Sequence, residues 1–111
     1  MTVEELALAV GGEILTAPEN AGRTIGSAMT CDLLSWVMAR GKADMAWVTV
    51  QTNINVVAVA ALHDMACVVI PEGMRPDAPV TEKAAEEGVV LIRTDASAYS
   101  VCCTLHTGGV A

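Results

Sequence analysis

Hydrophobic residues along the chain are concentrated in three short runs that are separated by segments with helical spacing. The runs cover residues 46–50, 66–70 and 89–92. Short apolar runs that alternate with helical segments predict βαβ units and a largely parallel sheet. The middle run contains Cys67-Val68-Val69-Ile70, and such an unbroken apolar stretch is typical of a strand that is covered on both faces. The pattern therefore predicts an α/β fold.

Caps and glycines define the remaining elements. Thr2 and Glu5 have the spacing of a capping box, and Gly11-Gly12 ends the helical spacing that follows them. Asp32 precedes an apolar helical stripe and is predicted to be its N-cap, with Gly41 ending that helix. Together these signals predict a loop over 17–22, strands over 13–16 and 24–30, and helices over 3–10, 33–40, 55–62, 77–87 and 95–106.

The segment 55–62 carries conflicting signals. Its valines favour a strand, whereas its alanines and Leu62 favour a helix. A strand here would follow the run 46–50 without room for a crossover connection, so we predict a helix. Because this helix is apolar all round, we expect it to be buried on several sides, by the sheet and by a second subunit.

Composition and charge limit the class of protein. The chain has 111 residues, which fits a single domain over 1–111 with a core of its own. It is 53% hydrophobic and 17% charged, a composition that excludes a disordered segment. With 13 acidic against 6 basic residues and a formal charge of -7, the chain would repel phosphates, so no nucleic-acid partner is predicted.

The termini and cysteines predict a location. The N-terminus carries acids where a signal peptide needs bases, and the longest apolar run, 56–62, is far shorter than the roughly 20 residues that span a bilayer. We therefore predict a cytoplasmic protein with no membrane partner. No CxxC pair occurs, and apolar surroundings predict buried, reduced thiols, with a redox role as the alternative. The four cysteines are Cys31, Cys67, Cys102 and Cys103.

Polar residues directly follow the predicted strands. In a parallel sheet, ligands bind at the edge where the carboxyl ends of the strands meet the N-termini of helices. The group after the first apolar run is the densest, and its uncharged donors and acceptors suit an anion or a polar ring. The alternative is that these residues are helix caps and turn formers, a role that suits Gln51 least. The candidate ligand-binding residues at this edge are Gln51, Thr52, Asn53, Asn55, Glu72, Gly73 and Thr94, with Pro71, Asp95 and Ser97 beside them.

The sequence contains no recognisable catalytic motif. His63 and His106 lack the spacing of a metal site, and neither a Walker A loop nor a GxGxxG motif occurs. We therefore predict no catalytic residue, no metal and no cofactor. An enzyme that uses Asp32 with Ser35, or Glu72, is the third of three hypotheses, after the two given below.

Two sequence blocks resemble the DRTGG domain family, and with Pro76 and the final helix, which continue the same order, the resemblance covers nearly the whole chain. The first block is 22–28 followed by 32–38, and the second is 47–52 followed by 55–60, with Pro71-Glu72-Gly73 continuing in order. Only Arg23 keeps the charge of the naming motif. The departures from the family pattern are Gly22 for its aspartate, Gly26-Ser27-Ala28 for its Thr-Gly-Gly, and Asn53 for a histidine that is common after Gln-Thr.

The resemblance implies a three-layer α/β/α fold with a mostly parallel central sheet, similar to the N-terminal domain of HPr kinase and usually dimeric. It also implies a regulatory role, because DRTGG domains accompany regulatory CBS domains in some pyrophosphatases. The family has no established catalysis, and the similar domain of HPr kinase lacks the kinase P-loop, so the resemblance implies no kinase activity. Stand-alone members are often encoded near iron-only hydrogenase or related redox complexes, which implies a protein partner of that kind.

Two leading hypotheses follow. The first is a non-catalytic regulatory or assembly module, a homodimer with a protein partner in a redox or metabolic complex. The second is a sensor domain that binds a nucleotide or phosphorylated metabolite through Arg23, Gln51, Thr52 and Asn55. Trp36 falls beside its helical stripe and is either a partner contact or partly buried against the sheet.

Overall fold

Helices and strands alternate along the computed structural model, which describes residues 1–111. Their order confirms the predicted α/β class, and a single 3₁₀ turn over Pro18–Asn20 lies in the predicted loop. No helix is long and apolar enough to cross a membrane. The strands are β1 (Glu13–Ile14), β2 (Ser27–Thr30), β3 (Met45–Val48), β4 (Cys67–Ile70) and β5 (Leu91–Arg93), and the helices are α1 (Val3–Ala9), α2 (Leu34–Arg40), α3 (Ile54–His63), α4 (Ala78–Glu87) and α5 (Ala98–Thr107).

The five strands form one sheet in the order β1-β5-β4-β3-β2. The four strands from β2 to β5 are parallel, with Trp47 of β3 opposite Met29 of β2 and Val68 of β4. Only β1 is antiparallel, and it pairs Glu13 with Arg93 of β5. The short β1 therefore covers one edge of the sheet, while β2 forms the other edge.

Helices cover both faces of the sheet and give the three-layer arrangement. One core joins α1 and α5 to the sheet, with Leu6 and Leu105 fully or almost fully buried. The other core joins α2, α3 and α4 to the opposite face, with Val37 and Val57 completely buried. The strands between them are buried on both faces, as their unbroken apolar sequences predict.

Trp47 is the largest fully buried side chain and lies in the middle of this sheet. Its indole ring packs in the core beneath α2, α3 and α4, and its Nε1 donates a hydrogen bond to the carbonyl oxygen of Cys31 at 2.8 Å. The chain contains no phenylalanine, so this ring has no aromatic substitute elsewhere in the core. The bond satisfies the only polar atom of the side chain, which allows complete burial.

The start of α2 differs from the prediction. Leu33, not Asp32, occupies the N-cap position, and it makes no side-chain capping bond. Asp32 is instead turned toward the next strand, where its Oδ1 accepts hydrogen bonds from Thr49 and Val50. A hydroxyl and a main-chain N–H both donate to its carboxylate there, so its oxygen is satisfied without capping the helix.

Gly41 does end α2, but for a different reason from the one predicted. Its φ of -62° lies outside the left-handed region, so conformational freedom does not require glycine here. A Cβ at this position would lie 2.7 Å from a Met65 carbon and 2.8 Å from a His63 carbon. It would also lie 2.8 Å from the main-chain oxygen of Val37, which cannot move aside as the end of a side chain can, so close packing excludes a side chain.

Three other predicted boundaries are shifted. The strand predicted over 24–30 is regular only from Ser27, while Thr24 pairs with Thr2 in an isolated bridge. The strand predicted over 13–16 ends at Ile14, because Thr16 turns its hydroxyl to the carbonyl oxygen of Val89. The last helix begins at Ala98 rather than near Asp95, and Ser97 caps it by accepting from the Ser100 N–H.

The segment predicted as a helix over 55–62 is α3, and the helical interpretation is confirmed. Its valines at positions 56, 57 and 59 are buried by the sheet and by the neighbouring helices. In the single chain one stripe of the helix, formed by Ile54, Ala58 and Leu62, is exposed, and its burial by a second subunit stays a prediction. Leu62 is 68% exposed. We call these three residues the α3 stripe.

The cysteines do not share one environment. All four are free, and Cys67 is buried, whereas Cys103 is exposed, contrary to the prediction of four buried thiols. Cys31 and Cys102 are half-buried. The Cys103 thiol lies beside the exposed Tyr99 and raises the pKa of the Tyr99 hydroxyl through a hydrogen bond.

Cys67 gives a testable pH dependence. Its complete burial raises the pKa of the thiol from 9.0 to about 12. Between these values the unfolded chain loses a proton that the folded chain keeps, so stability falls as the pH rises, by at most about 1.4 kcal/mol per pH unit. Urea unfolding under reducing conditions at about pH 8 and about pH 10 measures this loss. Cys67→Ala should lose less stability over the same interval, and an equal loss in both chains would contradict the assignment.

Candidate functional site

The carboxyl ends of β2 and β3 are joined by a hydrogen-bond network around Asp32. Its Oδ1 accepts from the Thr49 hydroxyl at 2.7 Å and from the Val50 N–H at 3.0 Å. The Gln51 side chain donates to the main-chain oxygen of Asp32 at 3.2 Å. Gln51, one of the residues predicted to contact a ligand, thus helps to hold the loop before α2 against the loop before α3.

Asn53 has the role that the alternative interpretation predicted. It is the N-cap of α3, and its side-chain oxygen accepts from the Asn55 N–H at 2.8 Å. The side chains of Asn53 and Asn55 are exposed, and Thr52 is half-buried between them and Gln51. The predicted cluster is therefore assembled at one edge of the sheet, but it forms an open loop surface.

A second group lies at the ends of β4 and β5 on the same edge. Glu72 and Gly73 have φ values of 63° and 72°, which bend the chain so that Glu72 accepts a hydrogen bond from the Ala98 N–H at the start of α5. Thr94 is 1% exposed, and its hydroxyl donates to the Val10 oxygen at 2.7 Å. Thr94 is thus committed to internal contacts, whereas Glu72 is exposed beside a helix N-terminus.

Arg93, at the end of β5, is a polar residue that the sequence interpretation missed. Its guanidinium forms an ion pair with Asp95, while its Nε is buried without a hydrogen-bond partner. The sequence signal was a charged residue directly after the apolar run 89–92. Its side chain belongs to the same edge as Glu72 and Thr94.

Arg23 lies at the opposite edge of the sheet, which corrects the prediction that it shares a ligand with Gln51, Thr52 and Asn55. Asp44 precedes β3 and Asp64 precedes β4, and both hold its guanidinium, at 2.8 Å and 3.0 Å. These hydrogen bonds, that of Asp64 first, raise the pKa of Arg23. The retained arginine of the motif thus ties the amino ends of two strands together.

Two clefts flank the edge strand β2, one toward α5 and one toward α2, and Ala28, Met29 and Ala111 line both of them. The cleft beside α5 has a volume of about 180 Å³ and is lined mainly by apolar side chains, among them Ala28 and Leu105. The cleft beside α2 has a volume of about 400 Å³. We call these the α5-side cleft and the α2-side cleft. None of the residues proposed from the sequence as ligand-binding lines either cleft.

The α2-side cleft combines an aromatic ring with positive charge. Trp36 is 49% exposed, and the Arg40 guanidinium lies over its ring at 4.7 Å from the centroid. Lys42 is a second base in the lining, and no acidic side chain is part of it. The sequence signal was the spacing of Trp36 and Arg40, which are four residues apart on one helix and therefore share a face.

Comparison with known proteins identifies the fold. No protein-family model matches the chain, and no curated protein matches it in sequence. A solved structure with a similar fold is the regulatory region of Clostridium perfringens pyrophosphatase, which consists of CBS and DRTGG domains and is complexed with the activator diadenosine tetraphosphate. The similarity covers 92% of this chain with a TM-score of 0.78 at 10% identity.

The chain spans 44% of that structure, so it corresponds to less than half of the regulatory region. At 10% identity the similarity shows the fold alone. That fold is the mostly parallel α/β arrangement expected from the resemblance to DRTGG domains.

Proposed function

We propose that this chain is a non-catalytic regulatory module, a single domain over residues 1–111 that acts in the cytoplasm as a homodimer. A similar fold occurs in the regulatory region of a pyrophosphatase, which supports the regulatory class. The observation that carries the dimer is the open edge of the sheet at β2, which lies between two clefts. Unpaired edge strands offer main-chain groups to a second chain.

The pairing of β2 with β3 determines which main-chain groups are free. The Cys31 N–H donates to the Val48 oxygen at 3.2 Å, so Cys31 and the alternate residues Met29 and Ser27 turn their main-chain groups toward β3. Ala28 and Thr30 consequently turn theirs to the open edge. These are the groups that a second chain would pair.

A second copy of this chain fits that pattern in one closed arrangement. When two β2 strands run antiparallel about a two-fold axis at Met29, Ala28 of each copy faces Thr30 of the other, and each such pair exchanges two hydrogen bonds. The arrangement is isologous and stops at two copies. Parallel addition of a second β2 would use different residues on the two strands and would not form a closed two-fold pair.

Cysteine cross-linking tests this surface. In a chain whose Cys31, Cys102 and Cys103 are replaced by serine, Met29→Cys should form a disulfide-linked dimer on mild oxidation. The two positions would face each other in a non-hydrogen-bonded pair, with Cα atoms about 4.5 Å apart, which suits a disulfide. Leu62→Cys in the same background is the matched control for a dimer through the α3 stripe.

Native mass spectrometry of the unmodified chain gives the second measurement. A dimer at tens of micromolar together with cross-linking at position 29 is the expected result. A monomer at that concentration would contradict the homodimer. A dimer that cross-links at position 62 and not at position 29 would keep the homodimer but place it on the α3 stripe.

The second candidate function is a sensor for a nucleotide or phosphorylated metabolite. It is supported by the similar regulatory region that is complexed with a nucleotide activator. The exposed members of the predicted cluster, Asn53, Asn55 and Glu72, remain candidate contacts, as do Gln51 and Gly73. Binding of a small molecule to the purified chain, measured by calorimetry, is the test. A protein partner in a redox complex remains a prediction from the family resemblance.

A further inference from the structure

We propose that the α2-side cleft binds a nucleoside phosphate, with the base stacked on the Trp36–Arg40 pair and the phosphates held by Arg40 and Lys42. The proposal rests on the sensor form of the proposed function and assigns it a site that lies away from the polar loops after β3, β4 and β5. Its basis is the distribution of charge, the exposed ring and the shape of the cleft.

Few basic side chains in this chain lack an ion-pair partner, and most of those that do lie at this cleft. The formal charge is -7, with six basic residues. Carboxylates lie within ion-pair distance of three of them, Arg23, Lys83 and Arg93. Two of the remaining three, Arg40 and Lys42, line the α2-side cleft. Ala111 also lines this cleft but adds no acidic side chain, and two neighbouring bases attract ions of the opposite sign.

The Trp36 ring is a surface on which a base can stack. Half of the side chain is exposed, and the ring belongs to neither hydrophobic core. The Arg40 guanidinium lies over the ring at 4.7 Å, so a planar cation and an aromatic ring are already stacked. Proteins bind unpaired bases on aromatic rings and on guanidinium planes of this kind.

The cleft is an open surface depression that is large enough to hold a small molecule. Its volume of about 400 Å³ is within the range of roughly 300–1,000 Å³ that such sites occupy. Ala28, Met29 and Met45 provide an apolar surface beside the two bases. Because Ala28 and Met29 belong to β2, a ligand here would lie against the proposed dimer edge and could change the stability of the dimer through differential binding.

Titration calorimetry with three probes separates the parts of this site. The probes are ATP, adenosine and inorganic tripolyphosphate, each added to the unmodified chain. ATP should bind most tightly, since only ATP offers both a base and phosphates. Arg40→Gln should weaken ATP binding by about tenfold or more, because a charged hydrogen-bonding partner is lost. Trp36→Leu should weaken binding of ATP and adenosine by a similar factor, and binding of tripolyphosphate little.

Arg75→Gln is the matched control, because it removes one exposed positive charge that has no carboxylate partner and lies in the loop before α4. It should leave ATP binding within about twofold, an effect expected of a distant, screened charge. An equal loss with Arg75→Gln and Arg40→Gln would overturn the site in favour of general attraction. ATP binding that survives both cleft variants would overturn the site but keep the sensor function. No binding of any probe would overturn the nucleoside phosphate proposal, while a sensor for another ligand would remain testable.

Discussion

Replacement of Trp47 by alanine is expected to lower the free energy of unfolding by about 3–5 kcal/mol, the range measured for large aromatic residues in cores. The side chain is completely buried between β2, β4 and the helices on one face of the sheet. The loss has two parts. The variant no longer gains free energy from burying the indole ring, and the substitution leaves a cavity that the surrounding valines and alanines cannot refill. A domain of this size is stable by about 5–15 kcal/mol, so the loss would be at least about a fifth of its free energy of unfolding.

Urea unfolding followed by circular dichroism measures this loss, because the signal does not depend on the tryptophan that is removed. Trp36→Ala is the control: it removes the same type of ring from a half-exposed position and should cost about 1 kcal/mol or less. Trp47→Phe keeps most of the ring but leaves the Cys31 oxygen without its donor, which separates packing from the hydrogen bond. Equal losses for the Trp36 and Trp47 variants would contradict the core position of Trp47.

The order of helices and strands could be predicted from the sequence, because it depends on residues that are close together in the chain. The apolar runs that became β3, β4 and β5 could be recognised by the absence of polar positions, and Thr2 and Glu5 form the predicted capping box. The prediction that α3 is a helix came from the connection between strands and not from the residue propensities of the segment. A parallel strand needs a crossover before the next strand, and that constraint outweighed three β-branched residues in the segment.

Residues whose role depends on distant contacts were not predictable in the same way. Asp32 has a capping residue's identity and position, yet it bonds to Thr49 and Val50, which lie next to it only after β2 and β3 have paired. Gly41 was predicted as the glycine that follows a helix, but close packing against the Val37 oxygen and the side chains of Met65 and His63 is what requires it. In both cases the sequence indicated a special residue and could not show which neighbour it meets.

In the candidate site, too, some positions could be predicted from the sequence and others depended on distant contacts. The sequence placed Gln51, Asn53 and Glu72 at one edge of the sheet, because the carboxyl ends of parallel strands share an edge. It also grouped Arg23 with them, although Arg23 lies at the other edge and is held by Asp44 and Asp64. The pattern could not assign β2 to an open edge, since strand order depends on which strands pair and not on their sequence order.

Ala28→Pro should convert the proposed homodimer to a monomer while the fold is kept. Ala28 turns its N–H away from β3, so proline removes a donor that the folded monomer does not use. In the proposed dimer that donor occurs twice, and each ring would also fill space that the other strand needs. The loss of two hydrogen bonds alone raises the dissociation constant by about tenfold to a hundredfold, and the steric clash adds to it.

The measurement is the mass of the chain over a range of concentrations, by light scattering after gel filtration. Ala28→Val is the control, because it enlarges the side chain but keeps the N–H, so its dimer should dissociate at nearly the same concentration as the unmodified one. Circular dichroism and the fluorescence of the buried Trp47 show whether each variant is folded. If Ala28→Pro is folded and dimerises as well as Ala28→Val, the β2 edge is not the interface. The α3 stripe, with Leu62 exposed at its end, would then be the apolar surface that a second copy covers.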